Sequence, residues 1–104
     1  MDVWEISAAV WQWPSGNWFF LTVPDDVSDE IAEAAAGHEG GFGSVRVEVT
    51  CGATIWRTSL FPSKSAKAYV LPMKRSIREA ERLAEGTTAY VRLLLLDVGS
   101  GKGS

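Results

Sequence analysis

Ser44-Val45-Arg46-Val47-Glu48-Val49-Thr50, then Cys51-Gly52, then Ala53-Thr54-Ile55-Trp56-Arg57-Thr58-Ser59-Leu60-Phe61 form the stretch whose reading decides the fold. In the first run Val45, Val47 and Val49 share one face and Arg46, Glu48 and Thr50 the other, which is the period-two signature of a strand buried on one side. The second run is rich in β-branched and aromatic residues. A glycine-bearing pair between two such runs predicts a hairpin, with Cys51-Gly52 as the two-residue turn. In that register Arg46 lies opposite Arg57. Two like charges paired across strands destabilise unless an anion, a carboxylate or solvent separates them, so the pair marks a candidate anion site.

Working outward, Tyr69-Val70-Leu71 reads as a short strand and Thr87–Val98 as a long one, rich in leucine and apolar on both faces in its second half. Val3–Pro14 alternates, with Trp4, Ile6, Ala8 and Val10 on one face. Pro14-Ser15-Gly16-Asn17 is dense in turn formers, and Trp18–Val23 follows as a strand apolar on both faces, central or inside a barrel. Those two strands predict a second hairpin. After Pro24, Asp25, Asp26 or Ser28 caps a short helix with Val27, Ile31, Ala34 and Ala35 as its apolar stripe. Four glycines between Gly37 and Gly43 end it. Pro72 sits where a first helical turn accepts it, and the helix that follows places Met73, Ile77, Ala80 and Leu83 on one face before Gly86 stops it. Six strands and two short helices predict a mainly β fold, a small and largely antiparallel β-barrel, because a single flat sheet of this size leaves too much apolar face uncovered. The expected domain spans residues 1–98, with 99–104 as a flexible tail.

The chain has 104 residues, 46% hydrophobic and 22% charged, which is room for one domain and the composition of a globular one. No apolar run approaches the roughly 18 residues of a membrane-spanning helix. An acidic N-terminus, Met1-Asp2-Val3-Trp4-Glu5, and a single Cys51 predict a cytoplasmic, bacterial-type protein without an internal disulfide. The net charge of −3 hides a polarity: residues 1–39 carry eight acids and no Lys or Arg, whereas residues 40–104 carry ten bases and five acids. Arg57 to Arg78 holds six bases and no acid. A chain of overall acidic character is nevertheless a poor dedicated nucleic-acid binder, and the acidic and basic halves are expected to neutralise each other across the fold or a dimer interface.

Three stretches occur in order: Trp18–Pro24 followed by Val27-Ser28; Gly41-Phe42-Gly43-Ser44-Val45-Arg46-Val47-Glu48-Val49-Thr50; and Thr54-Ile55-Trp56-Arg57-Thr58-Ser59-Leu60-Phe61-Pro62. Tyr69-Val70-Leu71-Pro72-Met73-Lys74, the helix through Arg78 and Ala80, and Glu85-Gly86-Thr87 complete the pattern. Over roughly residues 4–96 the chain resembles the domain of unknown function 1905 family. The resemblance implies a small barrel related to the double-split barrels of bacterial regulators and antitoxins. It implies no reaction.

One His, one Cys and no Cys-x-x-Cys or His-Glu-x-x-His spacing give no metal, cofactor or Cys–His catalytic set. Gly43-Ser44 lacks the glycines of a nucleophile elbow, since Phe42 and Arg46 stand there. His38 reads as a solvated loop residue and Cys51 as incidental in its turn. Trp4 and Trp18 read as core. Trp11 and Trp13 fall on the otherwise polar face, so either a bulge turns them inward or they form an exposed aromatic surface for a partner. Arg46, Arg57, Ser59, Lys64 and Lys74 are the anion- or ligand-binding candidates, if one barrel mouth gathers them; the competing expectation is salt bridging to Glu48 and the acidic helix. The first functional expectation is a non-enzymatic module binding a protein partner or small anionic ligand and self-associating as a homodimer. The alternatives are a dimeric DNA-binding regulator, argued from fold analogy and the Arg57–Arg78 segment, and an enzyme using Arg46, Arg57 or His38 in a pocket.

Overall fold

A computed structural model describes residues 2–37, 39 and 43–96. The alternating valines form β4 (Val45–Cys51), with all three valines buried, and β5 (Thr54–Ser63) returns antiparallel beside it. The turn is Gly52-Ala53, one residue later than the sequence predicts, with Cys51 opposite Thr54. Gly52 supplies the positive φ of 59° at the first turn position, a conformation in which a Cβ is strained. The later turn shifts the register, so Arg46 faces Ser59 and Arg57 faces Glu48. The predicted Arg46–Arg57 pairing is therefore wrong: a carboxylate, not a second guanidinium, stands across from Arg57.

The remaining strands are β1 (Val3–Ala9), β2 (Trp11–Gln12), β3 (Phe19–Thr22), β6 (Ala68–Pro72) and β7 (Thr88–Leu95). All pair antiparallel in the order β1-β7-β4-β5-β6-β3-β2. Seven strands replace the six expected because the first segment breaks at Val10: its first half pairs with β7, its second with β3. Val10 is buried and turns its backbone to the chain before β7, donating N–H to Thr87 O at 2.9 Å and accepting from Gly86 N at 2.7 Å. β5 makes the same change of partner, leaving β4 after Leu60 and joining β6 from Phe61. Two half-sheets thus share a strand on one side and a broken segment on the other, and the whole curls into a half-barrel. Strands that switch sheets in this way make the corners of small barrels.

Rows of inward residues cross the larger half-sheet. Trp4, Leu93, Val49 and Trp56 form one row, and Ile6, Val91, Cys51 and Thr54 are aligned in the next. Leu21, Leu60, Leu71 and Leu93 have no exposed surface. Helix α1 (Asp25–Ala34) buries Ile31 and Ser28. None of its predicted caps operates: Pro24 is the N-cap and no side chain caps the first turn. Ser28 instead donates its hydroxyl to Val23 O at 3.1 Å and accepts Tyr69 N–H at 3.1 Å, tying the helix to β6. Five acids of α1, Asp25, Asp26, Asp29, Glu30 and Glu33, are exposed.

Helix α2 (Arg75–Ala80) is shorter than predicted. It ends at Arg82, whose φ of 56° is left-handed, with Leu83 N–H returning to Arg78 O at 2.8 Å and Arg82 N–H to Glu79 O at 3.4 Å. Those two bonds are the Schellman closure, formed here on an arginine where glycine is usual. Pro72 ends β6 rather than starting the helix, and Ala80 is exposed. No helix among the described residues is long and apolar enough to cross a membrane. His38, Phe42 and the predicted tail 99–104 lie outside the described residues.

Candidate functional site

The smaller half-sheet carries aromatic residues on both of its faces. Leu21 and Leu71 point inward, so their neighbours Phe20 and Pro72 point outward, and the pairing Trp11–Phe20–Pro72 lines up one outer row. Thr22, Val70 and Phe61 align in the next. No bulge rotates the tryptophans inward; Trp11 and Trp13 stay on the outer face, as their parity with Glu5 and Ser7 requires. Trp11 is wedged against Phe20 (ring centroids 5.0 Å apart) and Trp13 (6.2 Å), and Trp13 meets Phe20 edge-on at 6.4 Å. The Trp11 indole N–H donates to Thr22 Oγ1 at 2.9 Å, which fixes that ring as the floor of the patch. Trp13 remains 48% exposed.

Trp18 was expected in the core and is 66% exposed. It leaves the β2–β3 turn, where Trp13 N–H donates to its carbonyl at 2.7 Å and Gln12 Nε2 to Gly16 O at 3.0 Å. Trp18 lies two residues before the outward-pointing Phe20 and shares its side; reading Trp18–Val23 as covered on both faces predicts burial, and this outer face is open. Trp18 stands between two clefts. One, of about 530 Å³, is lined by Trp11, Trp13, Trp18, Phe20 and Phe61 with Lys64 at its edge. The other, of about 570 Å³, is lined by Trp18, Phe19, Lys74, Arg75 and Arg78. Trp18 and Pro72 line both, so the two clefts adjoin across these residues.

Two of the three cations of the second cleft have partners. Arg78 lies over the Phe19 ring at 3.7 Å and donates Nε–H to Met73 O at 3.0 Å. Arg75 pairs with Glu79 at 2.8 Å, and that hydrogen bond pushes its pKa further up. Lys74 is exposed and makes no ion pair among the described residues. One fixed face of aromatic rings, flanked by cations, can stack on planar groups and neutralise negative charge.

The other candidates are dispersed. Arg46 and Ser59 face each other on the outer side of the larger half-sheet, and Arg57 beside them is bonded to Glu48 at 3.1 Å. Lys64 lies at the aromatic cleft and Lys74 at the cationic one. One mouth does not collect all five. Nor does the acidic helix neutralise them: among the described residues no ion pair reaches α1, and Glu30 instead accepts the Trp4 indole N–H at 2.9 Å. Cys51 is buried at the end of β4 rather than in the turn, and burial first, then the Glu81 carboxylate, pushes its thiol pKa up. That environment favours the unreactive thiol.

The family model of a domain of unknown function, DUF1905, matches residues 7–93. No curated protein matches the chain. With the match running from the middle of β1 nearly to the end of β7, the chain belongs to the DUF1905 family.

Proposed function

We propose that this member of the DUF1905 family is a non-catalytic binding module whose contact surface is the outer face of its smaller half-sheet, taking an anionic ligand that carries a flat ring. The observation that carries the reading is that an aromatic and a cationic cleft adjoin, sharing Trp18 and Pro72 as a common wall. An exposed aromatic cluster is costly to leave in water and is the usual centre of a recognition surface. The neighbouring Lys74, Arg75 and Arg78 select for negative charge.

Five tryptophans make the test direct, because each indole N–H gives its own resonance in a nitrogen-labelled sample. Adenosine monophosphate and 2-naphthoate, two unrelated ring-bearing anions, are the probes. Saturable shifts are expected at Trp13 and Trp18, with Trp4 and Trp56 on the inner face unmoved. Equal shifts at all five, or none with either probe, would overturn the proposal.

A further inference from the structure

We infer that the natural occupant of this face is a segment of single-stranded nucleic acid, its bases stacked on Trp18 and Trp13 and its phosphates held by Lys74, Arg75 and Lys64; the inference rests on the binding surface proposed above. Three observations select this class among ring-bearing anions. First, two rings are open to stacking and not one: Trp13 at 48% and Trp18 at 66% exposure. Trp18 forms no ring pair with another aromatic among the described residues. Secondly, cations stand on both sides of the rings, Lys64 at the edge of the aromatic cleft and Lys74, Arg75 and Arg78 beyond Trp18. Rings flanked by charges suit a strand whose bases stack while its phosphates meet cations. Thirdly, two adjoining clefts of about 530 and 570 Å³ make an extended surface rather than a closed pocket for one small molecule.

The same features disfavour a duplex, whose bases are already stacked on each other and present no faces to Trp13 or Trp18. The six-residue α2 is too short to serve as a groove-reading helix. The net charge of −3, with five exposed acids on α1, repels the dense charge of a long duplex more than it repels a short strand lying along the basic side. Base faces and phosphates are shared by DNA and RNA. A preference between them would come from contacts to the ribose hydroxyl.

The test is fluorescence anisotropy of the full chain with labelled thymidine and uridine decamers. Binding of either strand more tightly than adenosine monophosphate supports the inference, and the stronger of the two identifies the source. Raising NaCl from about 50 to about 250 mM should weaken binding roughly tenfold if two phosphates are neutralised. Trp18→Ala should weaken it about 5- to 150-fold, the range for loss of one stacked base, and Trp18→Phe should restore part of the loss. Arg92→Ala, on the far half-sheet, should leave binding unchanged. Indole shifts with adenosine monophosphate but no tighter binding of either decamer would overturn the strand and leave the proposed surface standing. Loss of both would remove both. Equal affinity for a duplex of the same length, or for a glutamate decamer, would also overturn the inference, because neither offers free bases.

Discussion

Phe20 and Leu21 are adjacent in sequence and opposite in environment. Leu21 has no exposed surface, so Leu21→Ala removes core contacts and leaves a cavity; the expected cost is about 2–5 kcal/mol by denaturant titration. Trp18→Ala, despite removing a larger side chain, should change stability by no more than about 0.5 kcal/mol, since its ring is mostly in water. If both substitutions cost the same, the assignment of inner and outer faces is wrong. Cys51 adds a dependence on pH. Its pKa is raised from an ordinary 9.0, so the fold keeps a proton that the unfolded chain releases. That contribution to stability is intact below pH 9 and is lost as pH rises through and beyond it. Tyr69, raised from 10.0 by burial and then by Glu39, extends the decline. The thermal midpoint should fall as pH rises from about 9 to beyond about 10, and Cys51→Ala should remove the earlier part of the fall. At this scale strict alternation was informative for Val45, Val47 and Val49, which it put inside; for Trp11 and Trp13 it left both an inward bulge and an exposed patch open. Trp18 was missed because an all-apolar strand reads as buried on both faces, whereas the side it shares with Phe20 is open.

Among the elements, the two sharpest departures from sequence expectation lie where the backbone turns left-handed. Either residue of Cys51-Gly52-Ala53 pairings can start a two-residue turn. Gly52 takes the first position, and this displaces every cross-strand pair, bringing Glu48 rather than Arg46 to Arg57. The period-two pattern defines which face is buried but is blind to a shift that keeps that face inward. The resulting Glu48–Arg57 pair is largely solvated, and a double-mutant cycle should give a coupling below about 1 kcal/mol. The end of α2 was hidden for a related reason. Its apolar spacing continues through Leu83, and only the Schellman closure, which the side chain of Arg82 does not advertise, reveals that the helix has stopped. Arg82→Gly is expected to stabilise the protein by about 0.5–1 kcal/mol, because glycine occupies that φ without strain. A loss of stability on this change would refute the closure.

For the whole molecule, the decisive joint is Val10. A single segment forms both margins of the sheet, and its hinge is stitched to Gly86 and Thr87 by two backbone hydrogen bonds. Hydrogen exchange should therefore find the Val10 and Gly86 amides as slow as those of β1 and β7; exchange at the rate of an open loop would mean that the halves are not joined there. The antiparallel barrel-like plan and the β4–β5 hairpin were readable from alternation and turn chemistry, whereas the seventh strand was not, because the break at Val10 leaves the period-two pattern intact. The candidate site was only half readable. Parity singled out Trp11 and Trp13 without deciding whether they are exposed, whereas the apposition of Trp18 with Lys74, Arg75 and Arg78 joins segments distant in sequence and exists only once β3 lies beside β6.

The division of labour between the two faces of the smaller half-sheet also bears on how such a protein can change over time. Each strand spends alternate residues on holding itself together, and the others answer to nothing in the interior. Substitutions at Trp13, Trp18, Phe61 or Lys64 can accumulate with little penalty to folding, so descendants of one barrel can diverge in what they grip while remaining the same object mechanically. An engineer inherits the same freedom: the outer rows can be randomised as a library on a scaffold whose inner rows are left untouched.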